Sequence, residues 1–516
     1  MLKKILKIKL KALGALAMGL ILAQLISAYF FGVIAEKQLE LQFKHFSNSS
    51  VIRVIKHEYA RGWLNSTETV VLAVNNQFIK NVLNVLPNAN KESISSLSTD
   101  VYQISYTTRI NHGLLAGWLH GNILPTLAYT TTKVTFPTKI NTILSKFFNG
   151  QDPLEIDNIL YLNKAGKYSL YSPRFNYAEA LSGVKVTWGG LLMTIAYNQE
   201  FNKFKNSLQL PLFELDAPTK GNLRLNNLNY ASNSEYSRNN IKVGTTQLTL
   251  AGLTVEFKES NNLQLKFGEV VHLLTGVNSA DFLNGIDAVN PSDFAINNVS
   301  YSSWSKDVNN FFSTNAQANF ESLTTNNTSY GPLYFDLSLE HIAAPEFSHL
   351  LDSLNNIAGQ DQNNPDNRLR TIKLLKTDLT PILSQQPLIS LNSLKIKTPD
   401  GEINLSGTIS SKNFVADDMT NQDKFTKKML VQLKFSIPKP ILAYLFVLQM
   451  KYFLTAGNAQ MDKQSSDALT KVVNILLDNQ LQVWLKKGYL NESANLISSR
   501  ITMESGVFAL NGIMTK

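Results

Sequence analysis

The sequence predicts an α+β protein in which strands dominate: an N-terminal transmembrane helix, then long antiparallel β-sheets, curved or groove-like, with a few packed helices. Three observations carry that prediction. Residues 12 to 35 hold no charged side chain and follow five lysines, Lys3, Lys4, Lys7, Lys9 and Lys11. From about residue 100 short runs alternate apolar and polar residues, which gives each strand one apolar face. Stretches at 76 to 86, 341 to 385, 441 to 454 and 465 to 487 read instead as helices.

As a helix, the uncharged run would extend roughly 36 Å, enough to cross a hydrocarbon core of about 30 Å. A cleaved secretory signal has an apolar region of only about 7 to 15 residues ending in small side chains. Here the run continues through Tyr29, Phe30 and Phe31, aromatic residues suited to a membrane interface. We therefore read an uncleaved signal anchor. Lysines before it and Glu36 after it orient it with the N-terminus cytoplasmic and the remainder exported. Gln24 and Ser27 read as polar side chains tolerated within a spanning helix.

Beyond the anchor, residues 36 to 46 continue as helix. Val51 to Lys56 and Thr67 to Val74 form a hairpin about Arg61-Gly62. Strands follow at Tyr102, Ile104 and Tyr106, and at Val184, Val186 and Trp188, where Gly189-Gly190 reads as a two-residue hairpin turn. The alternation returns at Leu223 and Leu225, at Leu248 to Phe257, at Leu263, Leu265 and Phe267, and at Leu333 to Leu339. Two helices then flank a polar linker at 359 to 367, and Pro399-Asp400-Gly401 turns the next hairpin. Strand Val431 to Ile437 leads into an apolar helix at 441 to 454. The helix at 465 to 487 has a stripe of Leu469, Val472, Val473, Leu476, Val483 and Trp484, with Gly488 as its cap. A last hairpin turns at Ser505-Gly506. The expected organisation is a basic tail (1–11), the anchor (12–35), an N-terminal β-rich region (36–215), a central antiparallel region (216–340) and a C-terminal α+β region (341–516).

Charge and composition exclude several function classes. The net charge of +9 looks like that of a nucleic-acid binder, but setting aside the five N-terminal lysines leaves 43 basic against 39 acidic residues. No nucleic-acid partner is expected. The chain has no cysteine, which excludes disulfides, thiolate metal sites and a cysteine nucleophile. The Asn-x-Ser/Thr sequences, as at Asn65 and Asn491, fit the background of a chain rich in those residues.

The seven histidines form no His-Glu-x-x-His or comparable ligand cluster, and Gly-x-Ser-x-Gly is absent. Gly166-Lys167 has Tyr161 where a phosphate-binding loop needs its first glycine. Ser303-x-x-Lys306 lacks the companion motifs of penicillin-binding proteins. No catalytic residue, cofactor or metal site is expected.

Three motifs remain. Tyr59-Ala60-Arg61-Gly62-Trp63-Leu64-Asn65-Ser66 surrounds the first turn, Asn111-His112-Gly113-Leu114 follows, and Ser505-Gly506-Val507-Phe508-Ala509-Leu510-Asn511-Gly512 closes the chain. Read from the residues alone, Gly62 allows a positive φ, Tyr59 and Arg61 brace the turn, and Trp63 plugs the start of the sheet. His112-Gly113 reads as a turn whose imidazole satisfies local backbone. In order and spacing the three motifs resemble the YdgA-like family of bacterial inner-membrane, periplasm-facing proteins. The resemblance implies a single-pass inner-membrane protein with its bulk in the periplasm. It gives Tyr59, Arg61, Gly62, Trp63, Ser66, His112, Gly113, Gly506, Leu510, Asn511 and Gly512 structural roles, and it brings no chemistry. At Leu114 that family often has proline.

The functional expectation is a non-enzymatic envelope protein held in the inner membrane by residues 12 to 35, binding a lipid or other apolar ligand on a curved sheet. The alternative is a structural protein that assembles with envelope partners, and the sequence leaves a homo-oligomer open. A hydrolase of envelope polymers stands third.

Overall fold

Alternation with a period of two, repeated along the chain, produces a single sheet in which every strand pairing is antiparallel. In the computed structural model the described residues are 2–47, 52–74, 103–258, 293–325, 328–358, 365–454 and 463–515. Helix α1 (Leu2–Ser47) runs unbroken through the predicted anchor and the segment after it. Strands β1 (Ile52–Ala60), β2 (Asn65–Val74), β3 (Gln103–His112), β4 (Thr126–Thr135), β5 (Glu155–Tyr161) and β6 (Gly166–Ser172) then neighbour one another in chain order. The short helix α2 (Thr138–Phe147) lies between β4 and β5.

The middle of the sheet is built from longer strands. β7 (Phe175–Ala178) pairs with β8 (Lys185–Trp188), and β9 (Leu191–Tyr197) returns to β6. β10 (Lys203–Ala217), β11 (Gly221–Tyr236), β12 (Lys242–Phe257), β13 (Asp293–Val308) and β14 (Phe311–Phe320) form a meander. β15 (Ser322–Thr325) and β16 (Thr328–Tyr330) extend the far end of β13, and β17 (Leu333–Ala343) pairs with β14. Pairing is continuous across residues 215 and 340, where the sequence shifts in character.

Two helices, α3 (Ala344–Ala358) and α4 (Pro365–Ser384), precede β18 (Leu388–Thr398) and β19 (Gly401–Ser411). Short helix α5 (Gln422–Lys428) leads to β20 (Met429–Pro438), followed by α6 (Lys439–Leu454) and α7 (Lys463–Lys486). β21 (Asn491–Ser493), β22 (Leu496–Glu504), β23 (Val507–Leu510) and β24 (Ile513–Met514) end the chain, with β22 paired to β20. Among the described residues the sheet has 24 strands and is open, not a barrel.

The predicted fold class holds, with local corrections. Gly189-Gly190 is not a hairpin turn: β8 and β9 lie end to end along β10, opposite its Phe213–Asp216 and Phe204–Gln209 segments. The glycines let the chain step past the break at Pro211, which has no N–H to give. A Cβ on Gly189 would stand 2.9 Å from the Leu212 nitrogen, and Gly190 has φ 89°. Residues 365 to 367 of the expected linker form the first turn of α4. In α7 the buried stripe is Val473, Leu477 and Leu481, whereas Val472, Leu476 and Val483 are exposed. That helix is apolar on more than one side, and the side facing α6 and Ile497 of β22 is the one that packs. The expected helix at 76 to 86 and the strand at Leu263 to Phe267 lie outside the described residues, as does Tyr102.

Among the described residues three cores hold α1, α3, α4, α6 and α7 down. Ala35 and Leu39 of α1 pack on Ile110, Leu127, Ala128 and Leu160. α3 and α4 cover Ile241, Val243, Phe312 and Ile342 with Leu350 and Ile382. α6 and α7 cover Ile497 and Phe435. Because Leu160 is fully buried beneath α1, Leu160→Ala should cost about 2 to 5 kcal/mol, read as a lower urea midpoint for the full chain in detergent.

Candidate functional site

The first two motifs meet on one side of α1. Gly62, Trp63 and Leu64 form the β1–β2 turn, and His112 ends β3 beside it, its N–H donating to the Leu64 carbonyl at 2.9 Å. The Ser66 hydroxyl lies 2.9 Å from His112 Nε2, and the Gly62 N–H donates to the same hydroxyl at 3.4 Å. His112 Nδ1 faces the Trp63 carbonyl at 3.4 Å. These partners assign the proton to Nδ1, with Nε2 accepting from Ser66. Burial pushes the imidazole below its ordinary value of 6.5, against the opposing pull of the Trp63 and Ala28 carbonyls and Glu36.

A serine within hydrogen-bond reach of a histidine is the geometry of an activated nucleophile. Here Ser66 and His112 are both buried, and Nδ1 faces a carbonyl where a hydrolase would place a carboxylate. The pair acts as a brace.

The brace holds the helix. Gln24 Nε2 donates to the His112 carbonyl and its Oε1 accepts from the Leu115 N–H, both at 2.8 Å. The Ser27 hydroxyl accepts from the Leu114 N–H at 3.4 Å. Trp63 Nε1 donates to the Leu25 carbonyl at 3.0 Å, its ring lies 5.1 Å from that of Tyr29, and Arg61 pairs with Glu36 at 3.0 Å. Gly32 and Gly113 are required by this fit. A Cβ on Gly32 would come within 2.8 Å of His112 Nδ1, and one on Gly113, where φ is 111°, within 2.4 Å of Gln24 Nε2.

Further along α1 a second set of polar side chains lies beneath the helix. Gln42 Nε2 donates to the Tyr197 hydroxyl at 2.7 Å and its Oε1 accepts from Tyr168 at 2.5 Å. Tyr197 donates to Asn158 at 2.9 Å. His57 pairs with Glu68 at 2.8 Å, not with its neighbour Glu58, and its ring stacks on Phe43. Burial raises the Glu68 carboxyl, with His57 opposing.

The third motif does not join this site. Ser505 and Gly506, at φ 53° and 78°, make the β22–β23 turn, and Leu510 pairs with Ile501. Asn511 Oδ1 accepts from the Arg500 N–H at 2.9 Å while its Nδ2 donates to the Gly488 and Tyr489 carbonyls. Asn511-Gly512 thus pins the end of α7 to the last strands. Ser303 and Lys306 lie three apart on strand β13, so they point to opposite faces. Among the described residues no group of three His, Asp or Glu could hold a metal.

A further feature is an apolar face. Leu208, Tyr230, Leu248, Tyr301, Ala318 and Phe335 stand directly opposite one another across six strands. The row continues through Leu394, Leu405 and Phe435. Directly paired residues share a face, as do residues two apart. A second row, Leu210, Leu228, Leu250 and Val299, therefore lies on the same side. At Asn227 and Asn298, both left-handed at φ 50°, the alternation changes parity, and Leu225, Leu253 and Ile296 continue the belt.

The same face carries Ile110 and Leu160 under α1, Leu339 under α3 and α4, and Phe435 and Ile497 beside α6 and α7. Among the described residues no helix covers its middle: Tyr301 is 37 % exposed, and Leu208, Tyr230 and Leu248 are half-buried. A cleft of about 570 Å³ lined by Phe147, Phe175, Arg174 and Trp188 borders the belt where Trp188 pairs with Phe213.

Comparison with known proteins adds one match. A family model described as a bacterial protein of unknown function, DUF945, matches residues 8–514. The chain belongs to that family. Membership of DUF945 agrees with the expectation of an uncharacterised bacterial family spanning nearly the whole chain, while the narrower YdgA-like name rests on the three motifs alone. No curated protein and no solved structure matches this DUF945 chain.

Sequence reasoning missed Gln24, Ser27, Gly32 and Gln42. The signal was present: Gln24 and Ser27 are the two polar side chains of the run apart from the Tyr29 hydroxyl, and with Ala28, Gly32 and Ala35 they share one helical face. The depressed His112 sets a pH dependence. The unfolded chain takes up the proton first as pH falls, so this contribution is complete above about 6.5 and is lost as pH drops through the folded-state value. Thermal unfolding between pH 8 and about 5 should show a steeper acid decline in the unsubstituted protein than in His112→Gln; taking the difference cancels the opposing contribution of Glu68.

Proposed function

We propose that this DUF945 protein is a single-pass, membrane-anchored envelope protein that binds a lipid or similar apolar ligand on the open face of its sheet, without catalysis. The in-register apolar belt is the observation that carries this reading. A sheet wetted on both faces has no use for rows of Leu, Tyr and Phe, and one packed as core would have them covered. Acyl chains are long, apolar and conformationally adaptable, which suits a shallow strip better than an enclosed pocket. Arg174, at the cleft bordering the belt, supplies a cation for an acidic headgroup.

The anchor supports placement at the ligand's source. The Met18–Lys44 part of α1 is long and apolar enough to cross a membrane. The lysine-rich side faces the cytoplasm and the sheet faces the periplasm by the positive-inside rule. In this reading α1 delivers the sheet to the outer surface of the inner membrane.

A second reading, assembly with envelope proteins or with another copy, is favoured by Val472, Ile475 and Leu476 of α7, which are all more than half exposed. Lipid analysis separates the two. Full-length protein released from membranes should carry a lipid that Leu248→Lys loses several-fold and Thr249→Lys, on the opposite face, retains. Equal lipid content in both variants would transfer support to protein assembly.

A further inference from the structure

The two loops that clasp α1 have no charged residue and expose large apolar side chains. No Asp, Glu, Lys or Arg lies between Arg109 and Lys133, nor between Arg61 and Glu68. Ile123 is 79 % exposed, Leu124 60 %, Trp63 59 % and Trp118 48 %. These side chains come from the β1–β2 turn and the β3–β4 loop, both fixed to α1 at Gln24, Leu25 and Ser27.

That attachment point conflicts with a sheet held clear of the bilayer. Lys11 is the last charge before the uncharged run, and about 20 Å of helix separates it from Gln24. A hydrocarbon core is about 30 Å thick. If the loops stayed in bulk water, the free part of the helix would be too short to cross. On its unpacked side α1 stays apolar and exposed up to Phe30, level with the loops.

We propose that the β1–β2 turn and the β3–β4 loop form a collar seated in the outer leaflet of the same membrane that α1 spans, with Trp63, Trp118, Ile123 and Leu124 in contact with lipid. The collar rests on the reading of α1 as an anchor. Tryptophans at this level match the amphipathic belt of membrane interfaces. The hydrogen bonds to Gln24 and Ser27 serve the same purpose at the base of the loop, where they satisfy the His112 carbonyl and the Leu114 and Leu115 N–H groups. The docked collar fixes the sheet's orientation relative to the bilayer, so the apolar face stands beside the leaflet at a set angle.

The absence of native cysteine permits a direct test. Full-length Ile123→Cys, Leu124→Cys and Leu181→Cys variants are labelled with an environment-sensitive fluorophore. They are reconstituted into phosphatidylethanolamine–phosphatidylglycerol vesicles containing a lipid spin-labelled near the top of its acyl chain. Leu181 is fully exposed in the β7–β8 turn, and β8 pairs with the Phe213–Asp216 end of β10, whereas the collar lies toward the Phe204 end. We expect blue-shifted emission and at least about twofold greater quenching at 123 and 124 than at 181. Equal quenching at all three positions, in protein that an alkaline wash leaves in the vesicles, overturns the collar and leaves the anchor standing. Blue-shifted emission without lipid quenching also overturns it, since a protein surface would then cover the loops. Release by the wash removes the anchor reading and the collar together.

Discussion

A sheet with one apolar face must cover that face or leave part of its hydrophobic stabilisation unrealised. Full burial of a Leu, Val or Phe side chain is worth about 1.5 to 3 kcal/mol, so rows of half-buried residues are a substantial deficit. This chain covers the two ends of the face with α1 and with α6 and α7, and one margin with α3 and α4. The long strands β10 to β13 between them hold their register by antiparallel pairing over 15 to 16 residues each. Among the described residues the middle of the face stays uncovered, and that exposure makes the sheet a candidate binding surface.

The clasp on α1 shows how a helix long and apolar enough to cross a membrane is joined rigidly to a sheet. Placing Gln24 and Ser27 in an apolar helix carries a desolvation cost, which hydrogen bonds to the His112–Leu115 backbone offset. Ser66 and His112 satisfy one another and the turn between β1 and β2, whereas the nearby Tyr59 and Thr126 hydroxyls and the Asn122 Nδ2 are buried without a hydrogen-bond partner among the described residues. Glycine at 32 and 113 gives the imidazole and the Gln24 amide the space they occupy. The result transmits the helix's position directly to the β1–β5 end of the sheet.

Much of this was legible in the sequence. Strand alternation pointed to the antiparallel class because strands with one apolar and one polar face suit a sheet wetted on one side, whereas parallel sheets are covered on both. The helix at 441 to 454 and the Gly488 cap were legible from local spacing alone. Gly189-Gly190 misled because a pair of glycines marks both a hairpin turn and a break where a strand passes a proline, and only the partner strand distinguishes them. The α7 stripe failed for a similar reason: several sides of that helix are apolar, and tertiary contact selects one. The motif around Tyr59 and the His112-Gly113 pair could be read as local turns, though not in detail: Gly62 has no positive φ and is small because a Cβ would meet the Asn65 carbonyl at 2.3 Å, and Trp63 lies exposed against α1 and does not plug the sheet. Their shared purpose was hidden, because their common partner, α1, lies 88 residues away in sequence at the Gln24–His112 bond.

Photocrosslinking in living cells decides whether the open apolar face holds a lipid-like ligand. A benzophenone amino acid would replace Tyr230 on the apolar face or Asn229 on the opposite face. A lipid seated on the belt gives a lipid-sized adduct at 230 and none at 229. A protein-sized adduct at 230, or identical products at both positions, would contradict it.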